Sequence, residues 1–262
     1  MTAYEAAILD VDGTIVRGKE LIAGAAAGIT AIDTAGLTRL LFSNNPTRAG
    51  SYYRNQLETH QIEIDPSMVL TSGTVSASFL QENHPEAAVY LLGESRLENL
   101  LEQHDLLVTT EPQAADVVLG SIDRELTYEK LQEAIRALER DIPFYGTDPD
   151  VTIPTDTGTI PGSGAILAAM AAVGERDPDA ILGKPSAIAG KAAMERLDTT
   201  PAKTLVVGDR LNTDIALGNQ AGMTTVAVLS GVTTREEIEA AHERWTPDYV
   251  LDSLGDIETI LE

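Results

Sequence analysis

The 262 residues are 43% hydrophobic and 23% charged, enough for one large domain or two smaller ones and too apolar for a disordered chain. The absence of cysteine excludes disulfide frameworks, thiolate zinc sites and cysteine nucleophiles. With 41 acidic against 18 basic residues the formal net charge is −23, and no cluster of Lys or Arg supplies the footprint a nucleic-acid binder needs.

Short β-rich apolar runs alternate with helical patterns along the chain. Tyr4–Leu9 reads as a strand and leads into Asp10-Val11-Asp12-Gly13-Thr14. A helix over Gly24–Thr34 is followed by the strand Thr38–Phe42, which runs into Ser43-Asn44-Asn45. Next come a helix over Arg48–His60 and strands at Met68–Thr71, Ala88–Leu92 and Val117–Leu119. Thr127 is a candidate N-cap for a helix reaching Glu139, ahead of the strand Ile142–Tyr145. Gly146–Gly164 is dense in Pro, Gly, Asp and Thr, which is loop or hairpin chemistry, and loops of that length are often functional. A helix over Gly164–Val173 precedes the strand Ala180–Leu182 and its Gly183-Lys184-Pro185. Ser186 is a candidate cap for a helix to Leu197, and the strand Thr204–Val207 then leads to Asp209-Arg210-Leu211-Asn212-Thr213-Asp214. The helix Thr213–Ala221, the strand Thr224–Leu229, a helix over Arg235–Glu243 capped by Thr234, and the strand Tyr249–Leu251 complete the pattern. The alternation predicts an α/β protein with a Rossmann-like, doubly wound, mostly parallel sheet.

Four polar motifs each follow directly on an apolar run. In an open parallel sheet such strand ends lie on one edge, where ligands bind, and right-handed crossovers keep the helices on the faces. Asp10, Asp12, Asp209, Asp214 and Lys184 are therefore expected in one crevice. Asp10 and Asp12, two apart on a strand, would point the same way. Several carboxylates sharing a partly dry site repel unless a cation joins them, and an all-oxygen donor set suits Mg²⁺. Lys184 adds a positive charge, and Ser43, Asn44 and helix N-termini add donors for oxyanions. Together these describe a phosphate site.

DVDGT, SNN, the GKP lysine and GDRLNTD, in that order, resemble the haloacid dehalogenase superfamily of aspartate-nucleophile phosphohydrolases, and more closely its NagD-like (subfamily IIA) branch. The resemblance covers nearly the whole chain. It implies a hydrolase core over 1–75 and 180–262, with an α/β cap inserted over 76–179. It implies Asp10 as nucleophile, Asp12 as acid and base, Ser43 and Lys184 as catalytic partners of the phosphoryl group, and Ser43, Asn44, Asn45 and Lys184 as substrate-binding. Mg²⁺ would be held by Asp10, the Asp12 backbone carbonyl and Asp209, with Asp214 behind them. The substrate would be a small phosphorylated metabolite: a sugar phosphate, a nucleotide, phosphoglycolate or a nitrophenyl phosphate. Relatives commonly pair through their caps, so a homodimer is an expectation too. Three positions depart from the family pattern. Ser43 stands where many relatives have Thr, Asn212 where they are often acidic, and Asp148 where the cap segment usually has Asn.

A receiver-like signalling module shares strand-end Asp residues, Mg²⁺ and a Lys, but lacks the large insertion and a second Asp like Asp12. Phosphonatase and dehalogenase chemistries remain alternatives within the superfamily. A dinucleotide-binding oxidoreductase is disfavoured, because DVDGT stands where G-x-G-x-x-G would. No apolar run approaches the roughly 18 residues of a membrane span. The N-terminus enters AAILDVDG almost directly, without a basic-then-apolar leader, which predicts a cytoplasmic chain. Dispersed acidity with only five Lys predicts a salt-rich, halophilic cytoplasm that screens the self-repulsion.

Overall fold

The computed structural model describes residues 3–155 and 158–261. The chain divides into two compact units: Met1–Ser43, Gly50–Leu70 and Ala189–Glu262 form one, and Asn44–Ala49 with Thr71–Ile188 form the other. This division falls at other places than residues 75 and 180. In particular, the segment carrying Lys184 groups with the inserted unit.

The first unit is built on a six-stranded sheet in the order Tyr249–Leu251, Thr224–Val228, Thr204–Gly208, Ala6–Leu9, Thr38–Ser43, Val69–Thr71. The four pairings from Tyr249–Leu251 through to Thr38–Ser43 are parallel. Ala6–Leu9 is wholly buried, as a strand covered on both faces must be. Helix Ala25–Thr34 turns Ala25, Gly28, Ile29 and Ile32 to the core, the spacing of one helical face, and its Ile29 and Ile32 share a cluster with Leu254 and Ile257. A short antiparallel pair, Val16–Arg17 with Glu20–Leu21, follows the first strand. Neither of these strands was expected, because two-residue strands leave no periodicity to read.

The second unit has its own five-stranded sheet, ordered Ala180–Ile181, Phe144–Gly146, Val117–Gly120, Ala88–Leu92, Leu107–Thr109 and parallel throughout. Side chains alternate across it. Tyr90, Leu92, Val118 and Phe144 pack with Ala134, Leu138, Ile166 and Met170. Val89, Val117 and Leu119 pack with Leu80, Leu97 and Leu101 on the other face. Thr127 caps helix Tyr128–Leu138, accepting from the Lys130 N–H at 3.2 Å. The Pro- and Gly-rich stretch forms an antiparallel hairpin, Thr152–Thr155 with Gly158–Pro161.

One expectation is corrected here. The four motif-bearing strands do not share a sheet: Ala180–Ile181 pairs with Phe144–Gly146 in the five-stranded sheet, with Ile181 opposite Gly146. The AIL run marks a strand but carries no information about its partner.

Candidate active site

In the six-stranded sheet the chain moves outward in opposite directions from Ala6–Leu9, first to Thr38–Ser43 and later to Thr204–Gly208. That reversal is a topological switch point, where the carboxyl ends of neighbouring strands open a crevice. Those ends carry Asp10, Ser43 and Asp209. The ladder runs one residue past Leu9, through the Asp10 N–H to the Val207 carbonyl at 2.9 Å. The chain then turns at Gly13, whose φ of +99° favours glycine. Asp12 lies beyond the regular strand, bridged to Val16 and exposed.

Carboxylate oxygens of Asp10, Asp209 and Asp214 lie within 4.8 Å of one another. These residues are only 8%, 2% and 1% exposed. Asp209 is closely held: its Oδ2 accepts from the Val232 N–H at 2.9 Å, and its carbonyl accepts from the Thr233 hydroxyl at 2.5 Å. Gly13 and Gly231 flank it so tightly that a Cβ on either would overlap the Asp209 carboxylate. Asp214 follows in a π-helical turn, Leu211–Ile215, and its Oδ2 accepts from the Arg210 N–H at 3.1 Å.

Three buried carboxylates this close are unfavourable as bare anions. The all-oxygen donor set and the tight glycine-walled surroundings of Asp209 fit a small hard cation such as Mg²⁺. The grouping contains Asp214 on the same footing as Asp209 and does not contain the Asp12 carboxylate.

Two groups in this unit escaped the sequence reading. The first is the Ser230–Thr233 turn after strand Thr224–Val228, which holds Asp209 and whose Ser230 hydroxyl donates to the Gly13 carbonyl at 2.8 Å. Its signal was available, since TTVAVL runs into SGVT just as the other apolar runs end in polar motifs. The second is Tyr53, 1% exposed, whose hydroxyl donates to Ser43 Oγ at 2.9 Å. Burial drives the Tyr53 phenol well above its usual range, and the negative charges of Asp12 and Asp10 add to the effect. In sequence it looks like an ordinary core position of an amphipathic helix.

In the second unit Lys184 is 2% exposed, at the carboxyl end of its strand, and joined to Pro185 by a cis peptide. The Asn44 side chain takes both of its backbone groups: Asn44 Nδ2 donates to the Lys184 carbonyl at 3.0 Å, and the Lys184 N–H donates to Asn44 Oδ1 at 2.9 Å. Asn45 Oδ1 accepts from the N–H and hydroxyl of Thr47, both at 3.0 Å. These bonds use both carboxamides to shape the chain. Asp148 is 2% exposed among the hydroxyls of Thr147 and Ser163. Burial, helped by the charge of Asp150, pushes its carboxyl up to about 7.

Comparison with known proteins places this chain in a family. A haloacid dehalogenase-like hydrolase profile matches residues 7–107, and a HAD-hydrolase-like profile matches residues 181–257. The acid sugar phosphatase of Staphylococcus saprophyticus is 35% identical over 262 residues, covering all of both chains. Among solved structures, the p-nitrophenyl phosphatase from Archaeoglobus fulgidus superposes with a TM-score of 0.92 at 32% identity, over 98% of this chain and 99% of that one. NagD from E. coli K-12 superposes with a TM-score of 0.87 at 28% identity, over 98% and 99%. The chain belongs to the haloacid dehalogenase-like hydrolases. Its place there is in the NagD-like phosphatase branch.

Proposed function

We propose that this chain is a Mg²⁺-dependent phosphomonoesterase acting on small phosphorylated metabolites, sugar phosphates foremost, through an aspartyl-phosphate. The observation that carries the reading is the Asp10, Asp209 and Asp214 grouping at the switch point of a parallel sheet. The preference for sugar phosphates rests on the full-length similarity to the staphylococcal acid sugar phosphatase.

A carboxylate oxygen of Asp10 attacks phosphorus as the bond to the leaving oxygen breaks. Asp12, exposed beside the turn, gives its proton to that leaving oxygen. The same carboxylate then takes a proton from water as the water attacks the aspartyl-phosphate, releasing phosphate and freeing Asp10. The Ser43 hydroxyl donates to a phosphoryl oxygen, and Lys184 neutralises charge developing on that group. When bound by Asp10, Asp209 and the Asp12 carbonyl, Mg²⁺ supplies positive charge that lets a phosphate dianion approach a carboxylate. Asp214 orients the groups around Asp209. The acidic, lysine-poor composition supports a salt-rich cytoplasm, and no helix among the described residues is long and apolar enough to cross a membrane.

The test is a screen of phosphorylated metabolites with and without Mg²⁺, following released phosphate. Steady turnover that EDTA abolishes and Mg²⁺ restores is the expected result. A stably accumulating acyl-phosphate without turnover would instead favour a receiver-like module, and indifference to EDTA would remove the metal assignment.

A further inference from the structure

We propose that Tyr53 is a positioning residue that sets the direction of the Ser43 proton; this rests on the reading of Ser43 as the phosphoryl donor. Helix Gly50–Glu58 buries Gly50, Tyr53 and Leu57 on one face, and Tyr52 packs edge-on against the Tyr53 ring at 5.2 Å. The ring is thereby fixed, and its hydroxyl donates to Ser43 Oγ at 2.9 Å inside the protein.

A serine hydroxyl has one proton and two lone pairs. With a tyrosine proton on one lone pair, the serine proton is left for an acceptor elsewhere. In the proposed reaction that acceptor is a phosphoryl oxygen. The Tyr53 phenol is well suited to the part because it stays protonated: burial raises it well above its usual range and outweighs the opposing pull of its bond to Ser43. A neutral phenol therefore remains a donor over the whole working range of a phosphatase. A phenylalanine would fill the same cavity yet take this donor away from the serine oxygen.

The experiment is a double-mutant cycle on kcat/KM with a small phosphomonoester such as nitrophenyl phosphate, using Tyr53→Phe, Ser43→Ala and the pair. Tyr53→Phe is expected to lower kcat/KM by roughly three- to tenfold in the wild-type background, the range of one hydrogen bond. In the Ser43→Ala background it is expected to do nothing further. An equal loss in both backgrounds, or no loss in the wild type, overturns the role of Tyr53 while leaving Ser43 in place. A silent Ser43→Ala overturns the donor reading and this proposal with it. Should Tyr53→Phe fold poorly by its Tm, 4-fluorophenylalanine at position 53 fills the hydroxyl's space without donating, and 3-fluorotyrosine keeps the donor. Loss with the first and rescue by the second support the proposal, and equal activity of the two refutes it.

Discussion

The two units solve the same architectural problem and end with opposite electrostatics. Each is a parallel sheet with buried polar side chains gathered just beyond its strands. In the six-stranded unit those are the carboxylates of Asp10, Asp209 and Asp214, with the Val232 and Arg210 N–H groups donating to Asp209 and Asp214 and glycines walling Asp209. In the five-stranded unit they are mainly hydroxyls that satisfy one another: Thr147 Oγ1 lies 2.9 Å from Ser121 Oγ, and Ser163 Oγ accepts from the Ile122 N–H at 3.1 Å. The one carboxyl drawn into that network, Asp148, sits near 7. Concentrated charge calls for a cation, whereas a self-satisfied network calls for nothing but its own geometry.

Breaking the charged side should have the largest effect. Asp10→Asn keeps the shape and removes the nucleophile, so turnover should fall at least about a thousandfold with the far-UV spectrum unchanged. Activity above a tenth of wild type would refute the assignment. Gly231→Ala tests the packing around Asp209. A Cβ there overlaps the carboxylate, so the Mg²⁺ concentration for half-maximal activity should rise ~10–100-fold, as for other changes to groups that orient a metal ligand. An unchanged Mg²⁺ titration would show that Asp209 tolerates displacement.

The uncharged side is sharpened by Asp148→Asn. The folded-state value near 7 lies above the ordinary 3.8, so the folded protein holds a proton the unfolded chain has released. Wild-type stability from this group is full below about pH 4 and is lost as pH rises through about 7. The Tm of Asp148→Asn relative to wild type should therefore climb by several degrees, on the order of 5 °C, between pH 4.5 and 7.5. A difference that stays flat with pH would contradict the buried-acid account. The smallest effect concerns the whole surface: with a net charge of −23, molar KCl should raise the Tm by a few degrees through screening, and no rise would count against adaptation to salt.

Strand positions were legible because apolar runs of three to six residues can do little else when polar turns bound them. Ala88–Leu92 and Tyr249–Leu251 have the expected limits, and Ala6–Leu9 falls inside the expected Tyr4–Leu9. Strand partners were not legible. Ala180–Ile181 joins the other sheet, so Lys184 belongs to the second unit, and no local pattern could have said so. The acidic ends at Asp10, Asp209 and Asp214 stood out because carboxylates placed directly after apolar runs are conspicuous. Tyr53 did not, since a buried tyrosine and a working one share the same sequence pattern. The helix expected from Thr213 begins instead as a π-helical turn and becomes α-helical only at Ala216, a distinction of hydrogen-bond register that composition does not encode.

The clasp between Asn44 and Lys184 has a consequence for protein engineering. One carboxamide, 140 residues away in sequence, fastens both the N–H and the carbonyl of the lysine that follows the last strand of the insert. The two ends of that long excursion are thus knotted at a single side chain, and the entropy of closing so long a loop grows only slowly with its length. An insert exchanged for one of another size should therefore keep the asparagine and the lysine together.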